Sequence, residues 1–465
     1  MTHPPNVRTA KQQPRPVPSA SVPVPAPPEP GVWAVTTGRL RAAATTEPGR
    51  LRIIGAALAL LVVAFGTVTA LEVQGRADAA NDVVARSQPL SRVAADLYHS
   101  LASADTAVAG GFLAGAEEPR ENRDEYEKDI TRASELLVRA AADADASTSS
   151  GQEITTLSEE LPRYTGLIER ARANNRQGYP LGAAYLRYAN QKMTDILLPA
   201  AERLYKAETA RLGRDNDDAR AWPFLSIGLG VVAVAALVWA QRRNYRRTNR
   251  VFNHGLLVAT AASTVLLLWL SAGHTVARSE LRDADVHGQR SLDVLNNARI
   301  SSLKARANEN LGLVARGSVL TPGKTDRKDK YEADFATDMR LLGDQLAQAR
   351  TFAEDSKGKD PVKTAITAVA TWQDRHKDAR KAEEDGDYRG ALELITSAKR
   401  STAESFTLVD AGLKQARVHE QEQFGTAARS GRGMLSPLPV GAALLALLGA
   451  GAAIVGINRR LSEYR

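Results

Sequence analysis

QRRNYRRTNR, Gln241 to Arg250, carries five arginines (Arg242, Arg243, Arg246, Arg247 and Arg250) and no acid. The apolar run WPFLSIGLGVVAVAALVWA precedes it, and GLLVATAASTVLLLWLSAG follows almost at once. So short a basic block between two uncharged stretches is either a phosphate contact on a soluble protein or the turn of a membrane hairpin. The distribution of charge decides between them. The chain has 61 Lys+Arg against 53 Asp+Glu, a formal charge of +8. Residues 1–71 hold seven basic and two acidic groups, and the tail after Ile457 holds three and one. Residues 72–221 hold 19 basic and 25 acidic groups, and residues 273–433 hold 27 and 25. All the excess positive charge therefore sits beside apolar runs, which argues against a nucleic-acid face.

Four runs lack any charged residue: Ile53–Leu71, Trp222–Ala240, Gly255–Gly273 and Leu435–Ile457. Each approaches or exceeds the roughly 20 residues that cross a hydrocarbon core of about 30 Å. Clusters of arginine flank each on one side: Arg50 and Arg52 before the first, the Gln241–Arg250 block between the second and third, Arg459 and Arg460 after the fourth. The positive-inside rule then places both termini and the Arg turn in the cytoplasm of a multi-pass plasma-membrane protein. These nine arginines are the topology anchors. Ala77-Asp78-Ala79 resembles a signal-peptide cleavage site, but fifty residues precede the first run, so it reads as an uncleaved anchor. The expected division is a Pro-rich cytoplasmic tail (1–50), a first span (51–71), an extracytoplasmic domain (72–221), a second span (222–240), the Arg turn (241–254), a third span (255–273), a second extracytoplasmic domain (274–433), a fourth span (434–457) and a cytoplasmic tail (458–465).

The two outer segments resemble each other. DEYEKDITRASELL (Asp124–Leu137) aligns with DKYEADFATDMRLL (Asp329–Leu342). Downstream, Tyr164, Gly178, Gly182 and Ala183 meet Trp372, Gly386, Gly390 and Ala391; upstream, Leu101 and Gly115 meet Leu303 and Gly317. The offset drifts from 202 to 208 in one direction, as small insertions in a duplicate require. Tyr126, Ile130, Ala133 and Leu137 keep helical spacing, as do Tyr331, Phe335, Met339, Leu342 and Leu346. Breakers at Glu117–Pro119, Ser147–Gly151 and Asn175–Pro180, and at Thr321–Thr325, Asp355–Pro361 and Asp385–Asp387, divide each copy into about four helices. Glu72 to Gly115 reads as one helix of roughly 65 Å, and Pro199 is expected to bend the fourth helix. The fold class is an all-α membrane protein with four transmembrane helices and two tandem, repeated extracytoplasmic four-helix-bundle-like domains.

Eleven of the 21 prolines lie in the first fifty residues, which cannot build a core and read as a solvated tail. Catalytic equipment is not legible. TPGKT (Thr321–Thr325) has five residues between Gly317 and Gly323 instead of the four of a phosphate-binding loop. The histidines (His3, His99, His254, His274, His287, His376, His419) form no pair at metal-ligand spacing, so no metal, cofactor or catalytic residue is expected. The carboxylates shared by the copies, Asp124, Glu127 and Asp129 with Asp329, Glu332 and Asp334, are the best polar cluster, although first-turn dipole pairing explains them equally. The four apolar runs contain no ionisable group, which disfavours a pump or channel. Ala442, Ala446 and Ala450, and Gly449 with Ala453, suit close helix packing in the fourth span.

A unit that enters as a helix, forms a helical bundle outside and leaves as a helix resembles the sensing half of bacterial chemoreceptors and histidine kinases. Duplicated outer domains, four spans and an Ala/Arg-rich composition, with no signalling domain after any span, resemble the actinobacterial GlnX-type membrane proteins over residues 50–465. That resemblance implies no enzyme but a signal relay: a glutamate/glutamine-binding lipoprotein docks outside, and the spans pass amino-acid status to a soluble cytoplasmic Ser/Thr kinase. It carries over no ligand-binding residue. Two other readings stand beside it, a scaffold or accessory subunit of a transport or secretion complex and a direct small-molecule sensor. The expected partners are thus the lipid bilayer, a binding lipoprotein and a kinase, without nucleic acid.

Overall fold

A helix that enters lipid with all its backbone groups paired has no reason to stop at the headgroups, and here two of the membrane helices continue far beyond them. The computed structural model describes residues 47–115, 117–143, 148–248, 253–321, 328–353 and 355–461. Helix α1 comprises Glu47–Asp82, a π turn at Val83–Ser87 and Gln88–Leu113. Then come α2 (Arg120–Asp143), α3 (Ser149–Arg176) and α4 (Leu181–Lys192, a π turn at Met193–Leu197, and Leu198–Arg220). Helix α5 is Phe224–Thr248. Helix α6 comprises His254–Asp283, a π turn at Ala284–Gln289 and Arg290–Ala315. The chain continues through α7 (Lys330–Phe352), α8 (Ser356–Glu384), α9 (Tyr388–Thr396), α10 (Thr402–Leu435) and α11 (Leu438–Leu461). Among the described residues the only β pairing is a single antiparallel bridge, Leu320 to Asp329.

Four helical stretches are long and apolar enough to cross a membrane: Gly49–Leu113, Leu181–Arg246, His254–Ala315 and Thr402–Arg459. This is the pattern of a multi-pass membrane protein. At the apolar end α1 packs on α11 and α5, and α6 packs on the same two helices, closing a ring of four. Ala442, Ala446, Ala450 and Ala453 are all buried in that ring, as their spacing implies. Arg50 and Arg243 lie together at one end of it, near Ile457, with Arg243 5.3 Å from the Trp239 ring. Arg52, Arg242, Arg246 and Arg459 are exposed at the same end. Arg250 and the side chains of Arg247 and Arg460 lie outside the described residues, as do the Pro-rich tail before Glu47 and most of TPGKT.

The incoming and returning helices differ at the far end of the ring. Helices α1 and α6 run on without a break, and the helix passes straight through Ala77-Asp78-Ala79. The returning pairs α4–α5 and α10–α11 are broken beside Pro223 and Pro437, so the expected second and fourth spans begin a few residues later, at Phe224 and Leu438. Proline has no N–H to give to the preceding turn. The carbonyls freed at the first break are taken up by arginines: Arg76 Nε donates to Ala221 O (2.6 Å) and Nη2 to Trp222 O (3.0 Å), and Arg278 donates to Arg220 O (2.9 Å).

Beyond the breaks, α1, α4, α6 and α10 form a stalk. Val83, Leu212, Ala284, Phe424 and Ala428 make one core layer with a residue from each helix, at the level of the π turns in α1 and α6. Gly288, in the second of these turns, lies against Phe424, where an added Cβ would come within 2.7 Å. Farther out, α1, α2, α3 and α4 enclose one core around Tyr98, Leu136 and Tyr164, while α6, α7, α8 and α10 enclose another around Phe335, Trp372 and Leu413.

Three local expectations need correction. Pro361 is inside α8 rather than in a breaker, because Asp355 already caps the helix by accepting from Gly358 N (2.9 Å). Ser149–Gly151 are likewise helical, capped by Thr148. The return of the second half is two helices, not one: Arg400 takes a left-handed φ of 56° and Ser401 caps α10 through Glu404 N. Pro199 lies in the first turn of helix after the π turn in α4, where a proline is tolerated.

A helix crossing in the ring where backbone meets backbone is testable. A Cβ on Gly255 would lie 2.4 Å from Ala452 O and from Gly456 Cα, both backbone atoms, whereas one on Gly451 meets nothing within 4 Å. Gly255→Ala is expected to destabilise the detergent-solubilised chain by about 1–3 kcal/mol in thermal unfolding. Gly451→Ala should leave the transition unchanged.

Candidate functional site

A cavity that joins the two halves lies between α1 and α4 on one side and α6 and α7 on the other, with a volume of about 290 Å³. Helix α1 supplies Tyr98, Ala102 and Asp105, spaced to share one face. Helix α4 contributes its π turn, which carries Thr194 and Asp195, and then Glu202. A π turn widens the helix by one residue and turns out side chains that a regular helix would direct elsewhere. From α6 come Lys304 and Asn308, and from α7 Lys330, Asp334 and Asp338. The small Ala102 and Ala307 leave the room. Tyr98 and Asp105 lie about 27 to 34 residues beyond the first apolar run, roughly 40–50 Å of helix.

The charges lining this cleft are unequal. Asp334 is paired with Lys330 (2.8 Å). Asp105 accepts from Asn190 Nδ2 (2.7 Å) and the Tyr164 hydroxyl (3.1 Å), both neutral donors. Burial pushes its pKa up to about 6 against those hydrogen bonds. Asp338 accepts from Asn308 Nδ2 (2.9 Å), and burial likewise holds it at about 6 although Lys304 pulls the other way. The Tyr98 hydroxyl is buried and has no hydrogen-bond partner among the described residues. Burial pushes its pKa up, and the nearby carboxylates of Glu202 and Asp338 push it further.

Polar groups stitch the halves together at neighbouring levels. Arg299 of α6 donates to His99 of α1 (2.7 Å) and pairs with Asp410 of α10 (3.0 Å), and Arg417 of α10 pairs with Asp96 of α1 (2.7 Å). Burial, then the charge of Arg299, pushes His99 down to about 3, so it is neutral at physiological pH. Tyr205 of α4 donates to Asp293 of α6.

The shared carboxylates do not form one cluster. Asp334 alone reaches the cleft. Asp329 caps α7 by accepting from Tyr331 N and Glu332 N, the first-turn role, whereas Asp124 lies inside α2. Glu127 is exposed, and Asp129 is partly buried. Among the described residues no group of three or more His, Asp or Glu is placed to hold a metal ion.

Glu332 belongs to a network that spacing could not disclose. His376 lies between Glu309 (2.9 Å) and Glu332 (3.0 Å) and stacks on Phe335 at 3.8 Å. Fully buried Glu309 also takes a hydrogen bond from Arg306 (2.6 Å) and from Trp372 Nε1 (3.2 Å). Burial opposes the charge on His376, but the hydrogen bonds and charges of the two glutamates outweigh it and hold the pKa at about 9. The folded value lies above the free one, so this stabilisation is complete below about pH 6.5 and is lost as pH rises through 9. Between pH 7 and pH 10 the wild-type chain should lose up to about 3 kcal/mol more stability than His376→Gln, read by thermal unfolding at each pH.

Residues 79–217 match the family model of an actinobacterial sensor domain. That segment runs from the membrane-proximal part of α1 to the last turns of α4 and includes the cleft's α1 and α4 walls. Neither a curated protein nor a solved structure matches the chain. The chain thus joins a segment that matches an actinobacterial sensor domain to four helices long and apolar enough to cross a membrane.

Proposed function

We propose that the chain is a transmembrane signal relay, with two repeated extracytoplasmic four-helix units receiving the signal and the four spans passing it inward. The observation that carries this reading is the continuity of α1 and α6, which line the cleft and then run unbroken through the π-turn layer into the membrane ring. Packed helices switch between discrete arrangements rather than deforming smoothly, so a change at the cleft has a mechanical route to the Arg turn. The sensor-domain match supports the input role of the first unit.

Several pairs of positions support the repeat. Gly115 and Gly317 end their helices at φ 82° and 67°, and Gly178 and Gly386 turn at 71° and 84°. Tyr164 and Trp372 are both fully buried. The units have diverged on the returning side: at the offset of 208 the π turn of α4, Met193–Leu197, corresponds to residues 401–405, the cap and first turn of α10 just after the break that follows α9.

In this reading the outer units face the exterior and the arginine end faces the cytoplasm. The input is amino-acid status, glutamate or glutamine, delivered by a binding lipoprotein, and the output is a soluble Ser/Thr kinase, as the GlnX-type resemblance implies. The cleft also supports direct sensing of a small molecule, which the same helices would transmit. A scaffold would need no such movement. Ser87 of α1 donates to Asp215 of α4 in the stalk, so Ser87→Cys with Asp215→Cys places two thiols across one sliding surface of a chain that has no other cysteine. Oxidising that pair is expected to abolish the change in cytoplasmic Ser/Thr phosphorylation that external glutamate or glutamine evokes, and reduction should restore it. A response that persists in the oxidised chain would contradict the relay and favour a scaffold.

A further inference from the structure

The cleft is a built site with an unmet requirement. Of its carboxyl groups, Asp334 has a lysine partner within the cleft, and Asp105 and Asp338 are held by neutral amides and a phenol. Glu202 pairs with Lys206, which does not line the cavity. Lys304 is the remaining cation in the lining. Tyr98 is a second, independent sign: it lines the cavity, and its buried hydroxyl is unpartnered among the described residues. A buried hydroxyl without a partner costs free energy that a ligand atom would recover. A metal ion does not meet the requirement, because among the described residues no three acids or histidines converge on one point. The cavity, about 290 Å³, is near the lower end of the range that small organic ligands occupy.

We infer that this cleft binds a small organic cation with a primary ammonium group, held by the Tyr98 hydroxyl and the Asp338 carboxylate across the junction of the two halves. The ammonium donates to both oxygens and draws α1 toward α7. Asp105 and Glu202 supply a negative field for a second positive end. An anionic ligand such as glutamate is disfavoured by the same field, so if amino-acid status reaches the chain through a lipoprotein, that input and this one are separate. Burial leaves Asp105 and Asp338 with raised pKa values, and a bound cation relieves that penalty.

The inference rests on the sensor reading only for its purpose. Its test is binding, which succeeds or fails independently of any cytoplasmic output. Isothermal titration of the full chain in lipid nanodiscs with putrescine should give saturable binding, whereas 1,4-butanediol, of the same length without charge, and glutamate should give none. Tyr98→Phe removes only an unpartnered hydroxyl and so keeps the fold; it should weaken putrescine binding by about tenfold. Asp338→Asn should weaken it by about thirtyfold or more, with helical content by circular dichroism unchanged. Equal heats for putrescine and butanediol, or wild-type putrescine affinity in both variants, would overturn the assignment.

Discussion

Apolar surface that no protein core covers is the constraint on which the rest of this structure depends. Only 28–39% of the residues in the four most apolar windows are buried inside the protein. Leu60, Leu71, Phe224, Val232, Leu268, Leu447 and Val455 each expose more than half of their surface. Such a belt is stable only in hydrocarbon, and in hydrocarbon every backbone donor and acceptor must be paired within the chain. The four helices follow from that requirement. Small residues set how closely they approach, as where Gly66 meets Ala446 and where Gly255 crosses Gly456.

Once these helices exist, extending two of them outward places the polar chemistry at a distance from the membrane without breaking the connection. The returning helices are interrupted by Pro223 and Pro437, while α1 and α6 are not. The cleft therefore has two kinds of wall: α1 and α6 are continuous with the membrane, whereas α4 is separated from α5 by the Pro223 break. Between cleft and lipid, the layer around Phe424 and Gly288 is the place where the continuous helices depart from regular α geometry. A π turn holds one residue more than an α turn and is frequent at functional sites, which makes it a natural point for a shift in register.

Much of the fold was legible in the chain because it is written locally. Charge-free runs, arginine placement, the apolar spacing of Tyr331 to Leu346 and the glycines at Gly115, Gly178, Gly317 and Gly386 each act over a few residues, and each has its counterpart in the helices and turns observed. The cleft is not local. Asp105 and Asp338 sit far apart in the chain on helices of different halves, and no periodicity records that they face one cavity. Aligning the two copies drew attention to Asp334 and Glu332, yet equivalent positions need not share an environment: Asp334 faces the cleft and Glu332 holds His376, whereas their counterparts differ, Asp129 being absent from the cleft lining and Glu127 pairing with Arg123. His376 looked isolated because its partners, Glu309 and Glu332, belong to other helices. The π turns were also hidden, since each is a one-residue adjustment inside a continuing helix, and so was the break after α9, which takes only residues 397–401 and contains neither glycine nor proline.

The orientation of the whole assembly decides whether the cleft can report on the exterior at all. With no native cysteine, the chain permits an unambiguous labelling test using Tyr179→Cys, at an exposed position between α3 and α4, and Tyr245→Cys, exposed among the arginines at the end of α5. Intact cells treated with a membrane-impermeant maleimide should modify Cys at position 179 and leave position 245 untouched until the membrane is permeabilised. Labelling of position 245 in intact cells, with position 179 protected, would contradict the account at its root.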